Sequence, residues 1–359
     1  MKRRITGMIV TGILAVNLLT GCGESDKAGN SDTEQEMGGL AGENTSQEAV
    51  PEKLSFQLGH INPASEYSQC QYLCTEFADK LSELSSGSME VEVIADGQLG
   101  GERDMIEGMQ MGTIDMMSIA GFSFDSFVPS MQLLDLPYLF DNSEEAFLIL
   151  DNEDLLKPVM DEIYEKCATK VLGFGAGGFR DTLSNKNPVI NVSDLSGQKL
   201  RLPETPIYVD AFKALGANPT TMAFSETFTA MEQGTVDGLE LPIMSIYPSK
   251  YHEISDYLSL TEHIYTTFAL CVSKDIWESM SEEQQAWLTE AADFAIDAER
   301  KFVADTEAEL LEEMKKAGCT VNELDNKEEF RQAVQPVYDQ YRDEIGGELI
   351  DATLELLGR

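Results

Sequence analysis

Two arginines are conspicuous in the middle of the chain, because Arg180 and Arg201 are the only arginines between Thr113 and Glu299. A guanidinium group presents a planar fork of N–H donors that can bind a carboxylate through two parallel hydrogen bonds. Arg180 follows a glycine-rich run, and Arg201 lies in a short apolar segment just before Pro203. The chemistry that these residues could supply is the binding of a small organic acid, with structural salt bridges as the alternative.

The charge of the whole chain restricts how such an acid could be bound. With 64 acidic and 25 basic residues, the formal net charge is -39, which disfavours a nucleic-acid partner. The same field repels an anionic solute at long range, so a site for it must be local, cationic and shielded from water. Two charge-assisted hydrogen bonds at about 1.5 to 3 kcal/mol each supply roughly half of the ~8 kcal/mol of a micromolar affinity. We expect burial in a closing cleft to contribute the rest.

A glycine-rich run at 173–178 (GFGAGG) has the spacing of a dinucleotide-binding loop. Such a loop must open a helix whose N-terminus faces the pyrophosphate. Residues 180–188 have the composition of strand and turn instead, so we interpret the run as a flexible crossing where the backbone passes close to another group. The sequence has no nucleophile elbow, phosphate loop or metal-ligand histidine spacing, and we predict no catalytic residue, metal or other cofactor.

The elements that must position the arginines follow an α/β pattern. Short β-rich runs alternate with amphipathic helical stretches from Leu54 onward. The predicted strands are 54–59, 89–95, 114–120, 171–176, 198–202, 236–241, 265–273 and 320–324, and the main predicted helices are 65–86, 102–111, 143–168 with a break near Pro158, 207–215 and 281–316.

The length of the chain from residue 53 onward predicts two lobes, since roughly three hundred residues exceed what one compact core usually holds. We expect each lobe to be a mainly parallel sheet flanked by helices, with a long C-terminal helix linking the lobes. The predicted boundaries are 53–177 plus about 267–305 for lobe 1, and 178–266 plus about 306–359 for lobe 2.

The N-terminus has the pattern of a bacterial lipoprotein signal. Three basic residues precede the apolar run 5–19, which is too short to span a bilayer comfortably. The run leads to Cys22, so we predict a signal peptide over 1–21, acylation of Cys22 and an unfolded tether over 22–52, which is rich in small polar residues. The five other cysteines are interpreted as small buried hydrophobes, with one bridge between two distant cysteines left open.

An ordered series of motifs carries a resemblance to a known family. The motifs are Phe179-Arg180 with Ser184-Asn185, 194–203 (DLSGQKLRLP), 215–220 (LGANPT), 222–226 (MAFSE) and 234–242 (GTVDGLELP), and upstream 58–60 (LGH), 97–103 (GQLGGER) and 136–140 (LPYLF). In these segments the chain resembles the solute-binding proteins of tripartite ATP-independent periplasmic (TRAP) transporters, the dicarboxylate-binding-protein (DctP) family.

This resemblance implies a two-lobed protein that closes on an organic acid and delivers it to a permease of one small and one large membrane subunit. It implies that Arg201 pairs with the ligand carboxylate and that Arg180 makes a second polar contact. It also implies that Phe224 packs on the ligand and that Glu102 contributes from the first lobe. The alternatives are that Phe224 belongs to the core and that Glu102 is a helix N-terminal charge.

One position departs from the family pattern. Leu241 stands where the family usually has an asparagine that helps to hold the carboxylate, while its neighbours Glu240 and Pro242 keep the pattern. We therefore predict a ligand with a less polar part near Leu241, or a carboxylate held by the arginines alone. Glu240 is included among the predicted substrate-binding residues.

The predicted function is that of an extracytoplasmic transport receptor, anchored by lipid to the bacterial membrane and without enzymatic activity. Three alternatives stay open from the sequence. The protein could sense a solute for a receptor, serve an ATP-driven importer, or act as a secreted acid–base hydrolase with two carboxylates.

Overall fold

The computed structural model describes residues 53–359. The predicted signal peptide, Cys22 and the tether lie outside the described residues. Within the described part, no helix combines the length and the apolar character that crossing a membrane requires.

Ten strands and eleven helices make up the described chain. The strands are β1 Leu54–Gly59, β2 Met89–Ile94, β3 Met116–Ala120, β4 Thr169–Ser184, β5 Lys199–Leu202, β6 Asn218–Thr221, β7 Gly238–Pro242, β8 Tyr257–Leu260, β9 Tyr265–Ser273 and β10 Thr320–Glu323. The helices are α1 Gln69–Leu84, α2 Glu102–Gln110, α3 Ser143–Leu150, α4 Glu153–Lys166, α5 Pro206–Ala214, α6 Phe224–Glu232, α7 Ile243–Ile246, α8 Lys274–Ser279, α9 Glu282–Lys316, α10 Lys327–Ile345 and α11 Gly347–Leu356.

One mixed sheet of ten strands runs through the molecule and has two halves. In the first half, β1 lies between β2 and β3 as parallel neighbours, and β9 lies antiparallel between β3 and the start of β4. In the second half, β5 lies between β6 and β7 as parallel neighbours, and the end of β4 pairs antiparallel with β7 and β8. Strand β4 therefore belongs to both halves, and it changes its partners next to Arg180, which pairs with Pro242. The α/β prediction is confirmed, and the lobe boundaries stay a prediction.

The long C-terminal helix is confirmed with its predicted start. Ser281 forms a capping box with Gln284, in which each side chain bonds the other residue's backbone N–H. From there α9 runs for 35 residues and packs against α1, β4 and α7. Its alanines, such as Ala291 and Ala295, are buried against Phe77 of α1. Small side chains on this face let the helix lie close to its neighbours.

Three predicted boundaries are wrong. The helix predicted over 65–86 begins only at Gln69, because Ser68 is its N-cap. The helical region 143–168 breaks at residues 151–152 and not near Pro158, because the Asn152 side chain accepts a hydrogen bond from the backbone of Leu155 and starts a new helix. The strand predicted to end at Ala176 continues to Ser184 as the 16-residue β4.

The glycine-rich run lies inside β4, where its glycines allow α9 to approach. A side chain at Gly175 would place its Cβ 2.9 Å from the Glu299 carboxylate. That carboxylate accepts a hydrogen bond of 2.7 Å from the backbone of Ala176, near a register shift in the pairing of β4 with β9. The predicted close approach of the backbone to another group is confirmed, but the predicted flexible crossing is wrong, because the run is paired within strand β4. The five described cysteines are all buried, as predicted, and all are free, so the bridge that the sequence left open is not formed among them.

Candidate functional site

A cleft of about 710 Å³ lies where the two halves of the sheet meet, within the usual ~300 to 1,000 Å³ of small-molecule pockets. Its walls come from the segments that follow the carboxyl ends of β1, β3, β5 and β7. Ligands of α/β sheets bind at such ends. The residues that line the cleft include Glu102, Phe122, Asp125, Arg180, Arg201, Phe224, Leu241, Tyr251 and Thr266.

Arg201 lies at the end of β5 and is buried, with 3% of its surface exposed. Its Nε and Nη2 donate to the backbone carbonyl of Met222 at 3.1 and 2.7 Å. No Asp or Glu is hydrogen-bonded to it in the described chain. Of the five N–H groups of a guanidinium, those of Nη1 and one of Nη2 stay available at its end. Arg201 can therefore bind a carboxylate end-on, although the carbonyl of Met222 occupies the Nε side of the fork.

The electrostatics of Arg201 follow from this burial. Burial lowers the pKa of Arg201 to about 10, and nearby Arg180 also lowers it, while Glu240 and Glu102 oppose the change. The guanidinium is thus a cation at neutral pH with no carboxylate hydrogen-bonded to it, in a place where water screens it poorly. An anion that enters the cleft meets a buried positive charge with free N–H donors.

Arg180, at the point where β4 changes partners, has a different environment. Its Nε and Nη2 form a bidentate ion pair with the Glu240 carboxylate, and Nη2 also donates to the Glu240 carbonyl at 2.9 Å. Nη1 donates to Thr266 at 3.0 Å. Burial alone would lower the pKa of Arg180, but the ion pair raises it above its usual value. Arg180 lines the cleft with its charge balanced and one N–H left.

Glu240 stands behind Arg180 and does not line the cleft. Burial would raise its pKa, but the Arg180 guanidinium outweighs burial and lowers it. His263 Nε2 lies 3.1 Å from the Glu240 carboxylate, and its Nδ1 lies 2.9 Å from Thr261. Burial lowers the pKa of His263, so the neutral ring donates to Glu240. The structure thus places Glu240 as a residue that orients Arg180, and His263, which the sequence did not single out, as its support.

Glu102 begins α2 on the opposite wall. Its carboxylate accepts hydrogen bonds of 2.8 Å from the backbone of Ala120 and from the hydroxyl of Ser123. Burial raises its pKa, and these two hydrogen bonds oppose the change. Each carboxylate oxygen can accept a further hydrogen bond, so Glu102 is able to bind a ligand hydroxyl.

Phe224 and Leu241 form the apolar part of the cleft. Phe224 is the first residue of α6, and its ring meets the ring of Tyr251 edge-on at 6.2 Å between centroids. Leu241 lies in β7 and is buried except for its cleft-facing part. Both residues line the cleft, and the predicted less polar part of the ligand near Leu241 stays a prediction.

Among the cleft residues that the sequence reasoning missed are Asp125 and Tyr251. No local signal distinguishes Asp125 among 64 acidic residues. Tyr251 lies in a turn that follows Lys250, whose φ of 61° is left-handed. Such a turn is set by tertiary packing, so its side chain could not be placed from the sequence.

Comparisons with known proteins agree with this geometry. The family model of bacterial extracellular solute-binding proteins, family 7 (DctP), matches residues 58–344. The chain is 34% identical over 294 residues to the 2,3-diketo-L-gulonate-binding periplasmic protein YiaO of Escherichia coli, covering 81% of this chain and 87% of that protein. It is 31% identical over 313 residues to the C4-dicarboxylate-binding protein DctB of Bacillus subtilis, covering 86% and 88%.

Among solved structures, one TRAP periplasmic solute-binding protein from Polaromonas, bound to D-erythronate, is similar along nearly its whole length. The sequence identity is 34%, the TM-score is 0.80, and the match covers 84% of this chain and 98% of that one.

Proposed function

We propose that this chain, which belongs to the DctP family of bacterial extracellular solute-binding proteins, binds a hydroxylated monocarboxylic acid in its cleft and delivers it to the two membrane subunits of a TRAP transporter. The observation that carries the proposal is the Arg201 guanidinium, a buried cation without a carboxylate partner in the described chain. A binding protein with so negative a surface needs such a local charge to hold an anion.

The count of cations in the cleft favours a single carboxylate on the ligand. Arg180 is already neutralised by Glu240. Arg103 and Lys250 also line the cleft, but their side chains are 64% and 68% exposed and each lies beside a glutamate. Exposed ion pairs of this kind contribute little to binding. Of the described lining residues, Arg201 alone is a buried cation without a hydrogen-bonded carboxylate.

The opposite wall favours hydroxyl groups on the rest of the ligand. A second carboxylate near Glu102 would meet a like charge, whereas a hydroxyl could donate to the carboxylate of Glu102. Phe224 and Leu241 would pack on the carbon chain between the two ends. The Polaromonas relative holds D-erythronate, an acid of this type.

Thermal unfolding with candidate acids tests the proposal. We expect D-erythronate or a related sugar acid to stabilise residues 53–359 by about 2.7 kcal/mol at a hundredfold excess over Kd. Succinate is the matched dicarboxylate and should stabilise less. If no acid in a broad panel stabilises this chain while the E. coli relative responds to 2,3-diketo-L-gulonate, the proposed function is wrong.

The proposal extends to the N-terminus, where the basic residues, the short apolar run and Cys22 support a lipid anchor on the outer face of the cell membrane. Cys22→Ser should move the full chain from the membrane fraction to the soluble fraction without changing its affinity for the acid. Retention of the variant in the membrane would contradict acylation at Cys22.

We further propose that the protein acts as a receptor and not as an enzyme. Its two lobes would meet near residues 177, 266 and 305.

A further inference from the structure

Two buried aspartates lie side by side at the wall of the cleft. Asp125 lines the cleft but is only 5% exposed, and Asp135, at the end of the 3-10 helix Pro129–Asp135, is 3% exposed. The two carboxyl groups are within hydrogen-bond reach of each other. We call them the acid pair. None of the roles assigned above to the cleft residues uses it.

The hydrogen bonding of the acid pair is incomplete. Tyr208 donates its hydroxyl to Asp135 Oδ1 at 2.9 Å. Asp135 Oδ2 and both oxygens of Asp125 accept no hydrogen bond from any donor in residues 53–359, although all three are buried. Buried polar atoms without partners are rare in folded proteins and require an explanation. Three orphan acceptors on two neighbouring carboxyl groups call for a hydrogen between the groups.

No positive charge within the described chain pairs with the acid pair. The guanidinium of Arg180 lies 5.2 Å from the ring centroid of Tyr208, and Glu240 already neutralises it. Two adjacent buried carboxylates cannot both stay ionised at low cost, because burial and mutual repulsion both disfavour the second charge. One shared proton resolves both problems, since the protonated Asp125 can donate to Asp135 Oδ2.

We propose that the acid pair is a proton-binding site of the cleft, and that this proton and a solute anion at Arg201 bind cooperatively. The second half of the proposal rests on the proposed function. An anion in the cleft makes a further negative charge on the adjacent wall less favourable, so it favours the protonated pair. By thermodynamic linkage, the protonated pair then binds the anion more tightly.

The surroundings raise the pKa values of both members of the acid pair. The titratable or charged groups that face the pair come from four elements: Tyr208 on α5, Arg180 on β4, Glu240 on β7 and Tyr341 on α10. Burial raises the pKa of Asp135 to about 7, against the opposing effects of Tyr208 and Arg180. Burial, followed by the neighbouring Asp135, raises the pKa of Asp125 well above its usual value.

The first test needs no solute. A carboxyl group whose pKa is higher in the folded than in the unfolded state contributes stability below the unfolded pKa of about 4, and this contribution is lost as pH rises through the folded pKa. We therefore expect the free energy of unfolding of the wild type to fall progressively between pH 5 and pH 8 because of the pair. Denaturant unfolding at each pH measures this decline. Asp125→Asn supplies an amide donor to Asp135, so it should remove part of this decline and be more stable than the wild type at pH 8.

Two controls keep this test decisive. Other buried acids such as Glu299 also titrate, so the difference between wild type and variant isolates the pair. Glu226→Gln changes an exposed carboxylate on α6 and should leave the decline intact.

If Asp125→Asn fails to fold, Asp135→Asn serves as the second variant. Parallel curves for wild type and Asp125→Asn would overturn the proton site. Stabilisation of the wild type alone by sodium or calcium would overturn it too, because the pair would then bind a metal cation.

The second test measures the coupling. Calorimetric titrations with D-erythronate, D-galactonate and succinate in phosphate and in Tris at pH 7 report proton uptake, because the buffers differ in ionisation enthalpy. The wild type should take up a fraction of a proton per acid bound, and Asp125→Asn should take up none. Binding without proton uptake by the wild type overturns the coupling. If no acid binds the wild type, the proposed function fails and the coupling fails with it, while the stability curves still decide the proton site.

Discussion

Arg180 and Arg201 line the same cleft and are almost fully buried, yet their guanidinium groups have different hydrogen-bond partners. Arg180 has a bidentate carboxylate partner in Glu240, and two of its three remaining N–H groups reach Thr266 and a backbone carbonyl. Arg201 has only the carbonyl of Met222. The comparison shows that the residue type supplies the fork of donors, whereas the neighbours decide whether that fork stabilises the fold or is free to bind a ligand.

The largest effect should come from removing Arg180, the arginine whose charge Glu240 balances. Arg180→Met leaves the Glu240 carboxylate buried beside a neutral histidine, and we expect a loss of about 3 to 5 kcal/mol in the free energy of unfolding. Urea-induced unfolding measures this loss. The control is the double variant Arg180→Met with Glu240→Leu, which should recover much of the stability because no charge is left unpaired. A single variant as stable as the wild type would show that the ion pair is not formed.

The next effect should appear in affinity and leave folding largely intact. Arg201→Met removes two charge-assisted hydrogen bonds to the ligand, worth about 3 kcal/mol or more together, so the affinity for D-erythronate should fall at least roughly a hundredfold. Arg201→Lys keeps the charge without the fork and should show an intermediate loss. Calorimetry measures the affinity. Normal binding by Arg201→Met would remove Arg201 from its proposed role.

A smaller effect concerns the wall opposite Arg201. Glu102→Gln removes the like charge that opposes a second carboxylate, so the affinity for succinate should rise about tenfold relative to that for D-erythronate, or about 1.4 kcal/mol. Competition titrations of the two acids give this ratio. Glu226→Gln removes an exposed charge outside the cleft and should leave the ratio unchanged. An unchanged ratio in Glu102→Gln would mean that this wall does not exclude dicarboxylates.

The smallest effect is expected at Leu241. Leu241→Asn places an amide in the apolar wall and should change the affinity for D-erythronate less than tenfold, in favour of acids with a polar group at that point. Comparing D-erythronate with its deoxy analogue measures this preference. A loss as large as that of Arg201→Met would show that Leu241 holds the ligand more tightly than an apolar contact explains.

Much of the fold was predictable because its signals are local. Strands β1 and β9 and helix α9 have the predicted bounds to within a residue, since alternation, helical spacing and the capping pair at Ser281 are written in adjacent residues. The break at Asn152 was misplaced, because a cap and a proline compete within one helical pattern and the sequence does not say which one prevails.

The cleft was predictable in part. Arg201 is at the end of a short strand before a proline, and the ends of such strands face ligand clefts in α/β proteins. The pairing of Arg180 with Glu240 was not predictable from spacing, because the two lie 60 residues apart and the chain offers many other carboxylates. The register of β4 against β7 brings them together.

The sequence by itself determined the residue chemistry and the local elements: an acidic α/β chain with few internal arginines, glycines where a helix must approach, and apolar side chains at Phe224 and Leu241. Tertiary structure alone decided which charges meet. It placed Glu240 behind Arg180, left Arg201 without a hydrogen-bonded carboxylate, and buried Asp125 against Asp135. The physical reason is that charge interactions depend on distance and burial, and residues far apart in the chain acquire both only when the sheet has formed.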